Sequence, residues 1–247
     1  MRGWLVGLMM LLGATALAQD RPAFTPEQEK AIREILRDTL IKNPDILVEA
    51  MRALEARQKE QQEEDNQKAL KTSRNELYDD PDSVVGGNPK GDITLVEFFD
   101  YRCGYCKRAH VTVEELKKSD GKLRVIYKEY PILGPDSVIA SRAAIAVRKS
   151  PKYLAFHDAL MRAKGQLDEA SVLQIAAEVG LDAKQIKADM NKAEVTAVIR
   201  RNHALAEKLG ISGTPAFVVG DSIVPGAISL ADMKALVKEA RTGCRAC

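Results

Sequence analysis

Two cysteines three residues apart, in Cys103-Gly104-Tyr105-Cys106, are the residues of this 247-residue chain whose types and spacing most directly suggest chemistry. At the start of a helix the first backbone N–H groups are unpaired, and the helix dipole favours an anion. A cysteine placed there has its thiolate stabilised, and the thiolate is the form that attacks a disulfide sulfur. A second cysteine one turn later and more buried can attack the resulting mixed disulfide and release the bound molecule. Metal binding and a plain structural bridge use the same spacing, so the pair alone leaves three readings open.

A strand must deliver the first cysteine and a helix must carry the second. Ile93 to Phe99 is a short run rich in β-branched and aromatic residues, which predicts a buried strand, and Lys107 to Lys118 has a helical pattern. Glu97 lies on that strand, six residues before Cys103; a carboxylate there either sits beneath the motif or reaches solvent from the strand end. Far downstream, Gly213-Thr214-Pro215 precedes a second apolar run, Ala216 to Val219. A proline at that point cannot donate to a strand ladder and suits a cis bond, leaving the Thr214 backbone to pair with an extended substrate chain. An ordinary trans loop proline is the plain alternative. The remaining pattern predicts a strand at Leu123 to Tyr130, helices through Pro135 to Leu209, a strand at Asp221 to Val224 and a last helix over Leu230 to Arg241. The cluster Gly86-Gly87-Asn88-Pro89-Lys90-Gly91-Asp92 reads as a dense turn at the start of this domain.

The N-terminal third is of another kind. Arg2, the apolar run Leu5 to Leu17 and the small-x-small site Ala16-Leu17-Ala18 read as a secretory signal cleaved after Ala18. The apolar run is shorter than the roughly 20 residues that span a bilayer, and no later segment predicts a span. Arg21 to Tyr78 is polar, glycine-free and helical in pattern, with a start at Thr25-Pro26-Glu27-Gln28 and a break at Asn43-Pro44. Ile32, Ile35, Leu36 and Leu40 form one apolar stripe, and Ile46, Leu47, Ala50, Met51 and Leu54 a second. Such stripes need a partner surface. A second copy of the chain is the expected one, through residues 19–70, with packing back on the same chain the alternative.

The balance of 37 Lys+Arg against 35 Asp+Glu excludes a nucleic-acid binder recognised by charge, and 45% apolar residues suffice for an ordinary core. Export into an oxidising compartment permits disulfides. The other two cysteines, in Cys244-Arg245-Ala246-Cys247, lack a preceding strand and a following helix. A structural disulfide, an auxiliary exchanging pair and metal capture all remain open for them. His110, His157 and His203 share no metal-ligand spacing and read as helix residues, although His110 is near enough to Cys103 and Cys106 to join a copper or zinc site.

The stretch Val96-Glu97-Phe98-Phe99-Asp100-Tyr101-Arg102-Cys103-Gly104-Tyr105-Cys106, followed by Gly213-Thr214-Pro215-Ala216-Phe217, resembles the DsbA family of periplasmic thiol–disulfide oxidoreductases. The N-terminal arm is similar in layout to the oligomeric suppressor-of-copper-sensitivity C proteins. The resemblance implies an α/β thioredoxin-like fold with a helical insertion at about 135–209, within a catalytic domain 79–241. This domain would follow an arm and linker at 19–78 and precede a tail at 242–247. It also implies Cys103 as nucleophile, Cys106 as resolving cysteine, Pro215 as a cis-proline with Thr214 before it, and Glu97 as the acid that helps move a proton at the buried cysteine. No cofactor is expected beyond the redox-active Cys103-Cys106 disulfide. The expected partners are cysteine-containing exported proteins and a membrane redox partner that resets the dithiol. Gly104-Tyr105 differs from the Pro-His of the best-known member. The direction therefore stays open between isomerase, which the arm and Thr214 favour, and oxidase; a copper- or zinc-binding protein is the rival of another class.

Overall fold

A computed structural model describes residues 24–244. The signal sequence and Cys247 lie outside these residues. The chain divides into two compact units, Met1–Lys59 and Glu60–Cys247.

In the first unit, α1 (Pro26–Lys42) starts as its sequence dictates. The Thr25 hydroxyl accepts from the Gln28 N–H, and Thr25 N donates to Gln28 Oε1, closing a capping box around Pro26. After Asn43 and Pro44 comes α2 (Asp45–Thr72), one continuous helix of 28 residues. No residue of α1 is buried, and Ile35, Leu36, Ile41, Leu47, Met51 and Leu54 are all more than half exposed. Most of both stripes is therefore exposed among the described residues.

In the second unit a five-stranded sheet has the order β1-β3-β2-β4-β5. Its strands are β1 (Val84–Gly87), β2 (Ile93–Phe99), β3 (Leu123–Glu129), β4 (Ala216–Val219) and β5 (Ser222–Pro225). β2 and β3 run parallel, as the crossover helix α4 (Gly104–Ser119) requires, and the other pairs are antiparallel. Between β3 and β4 the chain makes five helices: α5 (Pro135–Ala146), α6 (Tyr153–Arg162), α7 (Glu169–Glu178), α8 (Ala183–Asp189) and α9 (Ala193–Lys208). The last helix is α10 (Leu230–Thr242).

Alternation along β2 sorts the core into two layers. Leu95 and Phe99 face the cluster that holds Cys103, Cys106, Ala109 and Val113 of the α4 region. Val96 and Phe98 face a second cluster with Leu70, Leu77, Leu205 and Leu209. Leu77 belongs to the short helix α3 (Arg74–Tyr78).

Residues 60–78, expected as part of the arm and linker, fall in the second compact unit, where Leu70 and Leu77 are buried in the second core layer. The glycine cluster also hides a strand: Val84–Gly87 pairs antiparallel with β3, from Val84↔Tyr127 to Gly87↔Arg124. Gly87, at φ +67°, ends it where a Cβ would come within 2.5 Å of the Leu123 carbonyl oxygen.

Candidate dithiol active site

Cys103 is the N-cap of α4. Its Sγ accepts from the Cys106 N–H at 3.4 Å, and its thiol donates to the Thr214 carbonyl at 3.3 Å. The nucleophile expected from sequence thus meets both the helix start and the Thr214-Pro215 turn, whose peptide bond is cis. Cys103 is 7% exposed and Cys106 0%, so Cys103 is the more accessible of two buried sulfurs. Both are free thiols here. Burial pushes the Cys106 thiol far up, outweighing hydrogen bonds with the Asp100 backbone and the Thr214 side chain.

The loop that presents Cys103 is tied down by a residue that sequence reading left without a role. Asp100, fully buried, accepts from the backbone N–H groups of Arg102 (2.8 Å), Ile132 (2.8 Å) and Leu133 (3.0 Å) and from the Ser137 hydroxyl (2.8 Å). Four donors around one carboxylate lock the β2–α4 loop to the segment after β3. Arg102 adds a bond to the Leu133 carbonyl at 3.0 Å. The only signal in the sequence was an aspartate directly after a strand, which most often caps or turns. On the rim, Tyr105 is 61% exposed, with the Arg108 guanidinium 4.2 Å from its ring centroid.

Glu97 does not reach solvent. It is 0% exposed, on the face of β2 shared with Leu95 and Phe99, and neither carboxylate oxygen has a hydrogen-bond partner. Burial raises its carboxyl to about 8, reinforced by the Glu114 charge and opposed by Lys117. Lys117 Nζ lies 2.6 Å from Glu114 and donates to the hydroxyl of Tyr127, the β3 residue in register with Glu97, at 3.2 Å. A carboxyl in such a place is neutral below pH 8 and can take or give a proton near physiological pH.

Beside it lies a buried polar cluster that the sequence did not foretell. His157 Nδ1 and the Tyr101 hydroxyl are 3.0 Å apart, Tyr153 donates to Glu129, and the His110 and His157 rings are 5.2 Å apart. Burial pushes Glu129 up to about 7 and holds His157 well below the usual histidine range. The histidines are helix residues as expected, but two of the three are buried. His110 Nε2 is 2.8 Å from Asp158, and among the described residues no three potential ligands converge on a metal site. Cys244 is disulfide-bonded.

The strand-delivered dithiol, the helix insertion and the cis-proline define a thioredoxin-like oxidoreductase domain. The comparisons are specific: residues 94–238 match the DSBA-like thioredoxin domain, and the chain belongs to that family. Residues 28–61 match the N-terminal domain of the copper resistance protein ScsC. A thioredoxin-like oxidoreductase from Silicibacter pomeroyi DSS-3 is 50% identical with TM-score 0.67, over 69% of this chain and 99% of that one. Proteus mirabilis ScsC in a transitional conformation is 34% identical with TM-score 0.66, over 90% of this chain and all of that one (100%). Among curated relatives, the Na(+)/H(+) antiporter NhaA 1 of Salinispora arenicola is 28% identical over 169 residues, 67% of this chain. The chain spans about a quarter (26%) of that relative's length. Among the described residues no helix is long and apolar enough to cross a membrane.

Proposed function

We propose that this chain is a periplasmic protein thiol–disulfide oxidoreductase that acts on cysteine-containing exported proteins and works chiefly as a disulfide isomerase. The observation that carries this reading is Cys103, held at the α4 N-terminus between the Cys106 N–H and the Thr214 carbonyl. The Cys103 thiolate attacks a substrate disulfide, forming a Cys103–substrate bond and releasing one substrate thiolate. That thiolate attacks a second substrate disulfide, and the thiolate so freed attacks the Cys103–substrate bond and expels the Cys103 thiolate, which isomerises the substrate with no net electron transfer. Alternatively Cys106 loses its proton and attacks Cys103 Sγ, releasing the second substrate thiolate; two electrons then pass from the dithiol to the substrate. Glu97, whose carboxyl is raised to about 8 and which is buried on the dithiol side of β2, is the acid–base group we assign to the Cys106 proton: its carboxylate form takes the proton as Cys106 attacks, and its acid form returns it.

The exposed stripes of α1 and α2 support assembly of several copies through the arm, which favours isomerase over the DsbA-type oxidase. A membrane redox partner would keep the dithiol reduced. Reduction of insulin and refolding of scrambled ribonuclease test the reading. The full chain should catalyse both, and Cys103→Ser neither. A protein that catalyses neither, or a Cys103→Ser variant that retains activity, would sink it.

A further inference from the structure

One turn beyond Cys106 on α4 stands His110, 1% exposed and without a role in the exchange chemistry above. Long helical side chains lean back over the preceding turn, so its imidazole lies over the turn that carries Cys106. Its Nε2 is 2.8 Å from Asp158 Oδ1 of α6, whose side chain is 43% exposed. Burial opposes ionisation of Asp158, yet hydrogen bonds from His110 and Arg162 prevail and hold its carboxyl below the usual range. A carboxylate only accepts hydrogen bonds, so in the neutral His110 ring the proton is assigned to Nε2. Nδ1 is then the lone-pair nitrogen, and it is buried with no hydrogen-bond partner among the described residues. His157, its ring centroid 5.2 Å away, is the neighbouring histidine; the charged groups close by are Arg162, 2.8 Å from Asp158, and Lys117 with its partner Glu114.

We propose that His110, oriented by Asp158, is a proton-transfer residue for Cys106 and the one that links this buried thiol to solvent. Cys106 is 0% exposed and its thiol is hard to ionise, so its attack on Cys103 Sγ needs a base inside the core. Glu97 is such a base, but both its oxygens are buried without a hydrogen-bond partner and offer no path outward. His110 has a buried lone pair at one end and a partly exposed carboxylate at the other, the arrangement by which a third group orients a histidine toward a nucleophile. As Cys106 Sγ bonds to Cys103 Sγ and the substrate thiolate leaves, two electrons pass to the substrate. The Cys106 proton goes to Nδ1, and the Nε2 proton goes through Asp158 to water. When a reducing thiolate later opens the Cys103–Cys106 bond, the departing Cys106 thiolate takes the proton back from Nδ1, and Nε2 is reprotonated through Asp158. Each redox cycle thus restores the starting tautomer without a turn of the ring.

This inference rests on the disulfide-exchange reading above. In its test the reduced full chain is mixed with excess glutathione disulfide and quenched in acid at successive times. Mass spectrometry then separates the Cys103–glutathione disulfide, formed first, from the Cys103–Cys106 disulfide that follows. His110→Ala and Asp158→Asn should each leave the first step within about twofold and slow the second about tenfold, less than the roughly hundredfold usual for a lone acid–base group because Glu97 remains. Asp158 is partly exposed, so Asp158→Asn decides the matter even where His110→Ala fails to fold. Imidazole buffers of graded basicity should restore the second step in His110→Ala in order of their basicity and leave wild type unchanged. An unchanged second step in Asp158→Asn, an equal slowing of both steps, or a recovery that ignores buffer basicity would overturn the relay. Failure to form any glutathione disulfide on Cys103 would instead overturn the exchange reading on which it stands.

Discussion

Replacing Glu97 by glutamine tests whether a buried, neutral carboxyl lies under the dithiol. The unfolded chain releases that proton near 4.5, whereas the folded chain keeps it to about 8. A group whose folded value is raised in this way contributes its full stability below pH 4.5 and loses it as pH climbs to 8. At about 1.4 kcal/mol per pH unit the loss is about 5 kcal/mol, and it is absent from the glutamine variant. Glu129, raised to about 7, loses stability in the same direction. His157, held neutral by burial, loses it in the opposite direction as pH falls through the histidine range. Both remain in both proteins, so the difference between variant and wild type isolates Glu97. Glu114 and Lys117, the charges acting on Glu97 from α4, also remain. Urea unfolding of the reduced proteins at pH 5 and pH 8.5 is the assay. The stability of Glu97→Gln relative to wild type should rise by several kcal/mol between the two, whatever the buried amide costs at either pH. A difference that changes by less than about 1 kcal/mol would mean that Glu97 is ionised in the folded protein, and the proton role given to it would fall.

The remaining expectations concern the loop and the arm. Asp100→Ala strands three backbone donors and a serine hydroxyl. It should cost about 3 kcal/mol or more by chemical denaturation and should slow exchange by freeing the Cys103 loop; a loss under about 1 kcal/mol would refute the anchoring. Leu70→Ala should cost about 2 to 4 kcal/mol, because Leu70 is 5% exposed in the second core layer, whereas Leu54→Ala, 56% exposed within the chain, should cost the isolated fold little but weaken self-association in sedimentation. Truncation after the signal through Lys59 should yield a monomer that keeps dithiol exchange, while truncation through Lys71 should destabilise the catalytic unit. Equal stability of the two truncated proteins would contradict the boundary.

Local patterns made much of this architecture legible. The β-branched run over β2, the helix after Cys103, the capping box at Thr25 and the break at Asn43-Pro44 each follow from neighbours in sequence. The dithiol, Glu97 and the Thr214-Pro215 turn could be named because each sits in a short recognisable string. What escaped depends on contacts between distant segments. Val84–Gly87 is a strand only because β3 offers an edge and Gly86 leaves room for the Tyr127 ring. The role of Asp100 needs the backbone of Ile132 and Leu133. His110 and His157 belong to different helices, and their burial side by side leaves no periodic trace. The packing of residues 60–78 was hidden for a related reason. The polar composition of residues 55–71 reads as solvated linker, and one buried leucine, Leu70, decides otherwise.

The central claim is that Cys103 and Cys106 form one redox pair with Cys103 as the attacking sulfur. Equilibrating the full chain in glutathione buffers of graded potential, then alkylating free thiols and mapping disulfides by mass spectrometry, tests it most directly. The account predicts a single two-electron transition that joins Cys103 to Cys106, with glutathione captured on Cys103 alone once Cys106 is changed to serine. Thiols that persist across the range, or glutathione captured on Cys106 in Cys103→Ser as readily as on Cys103, would contradict it.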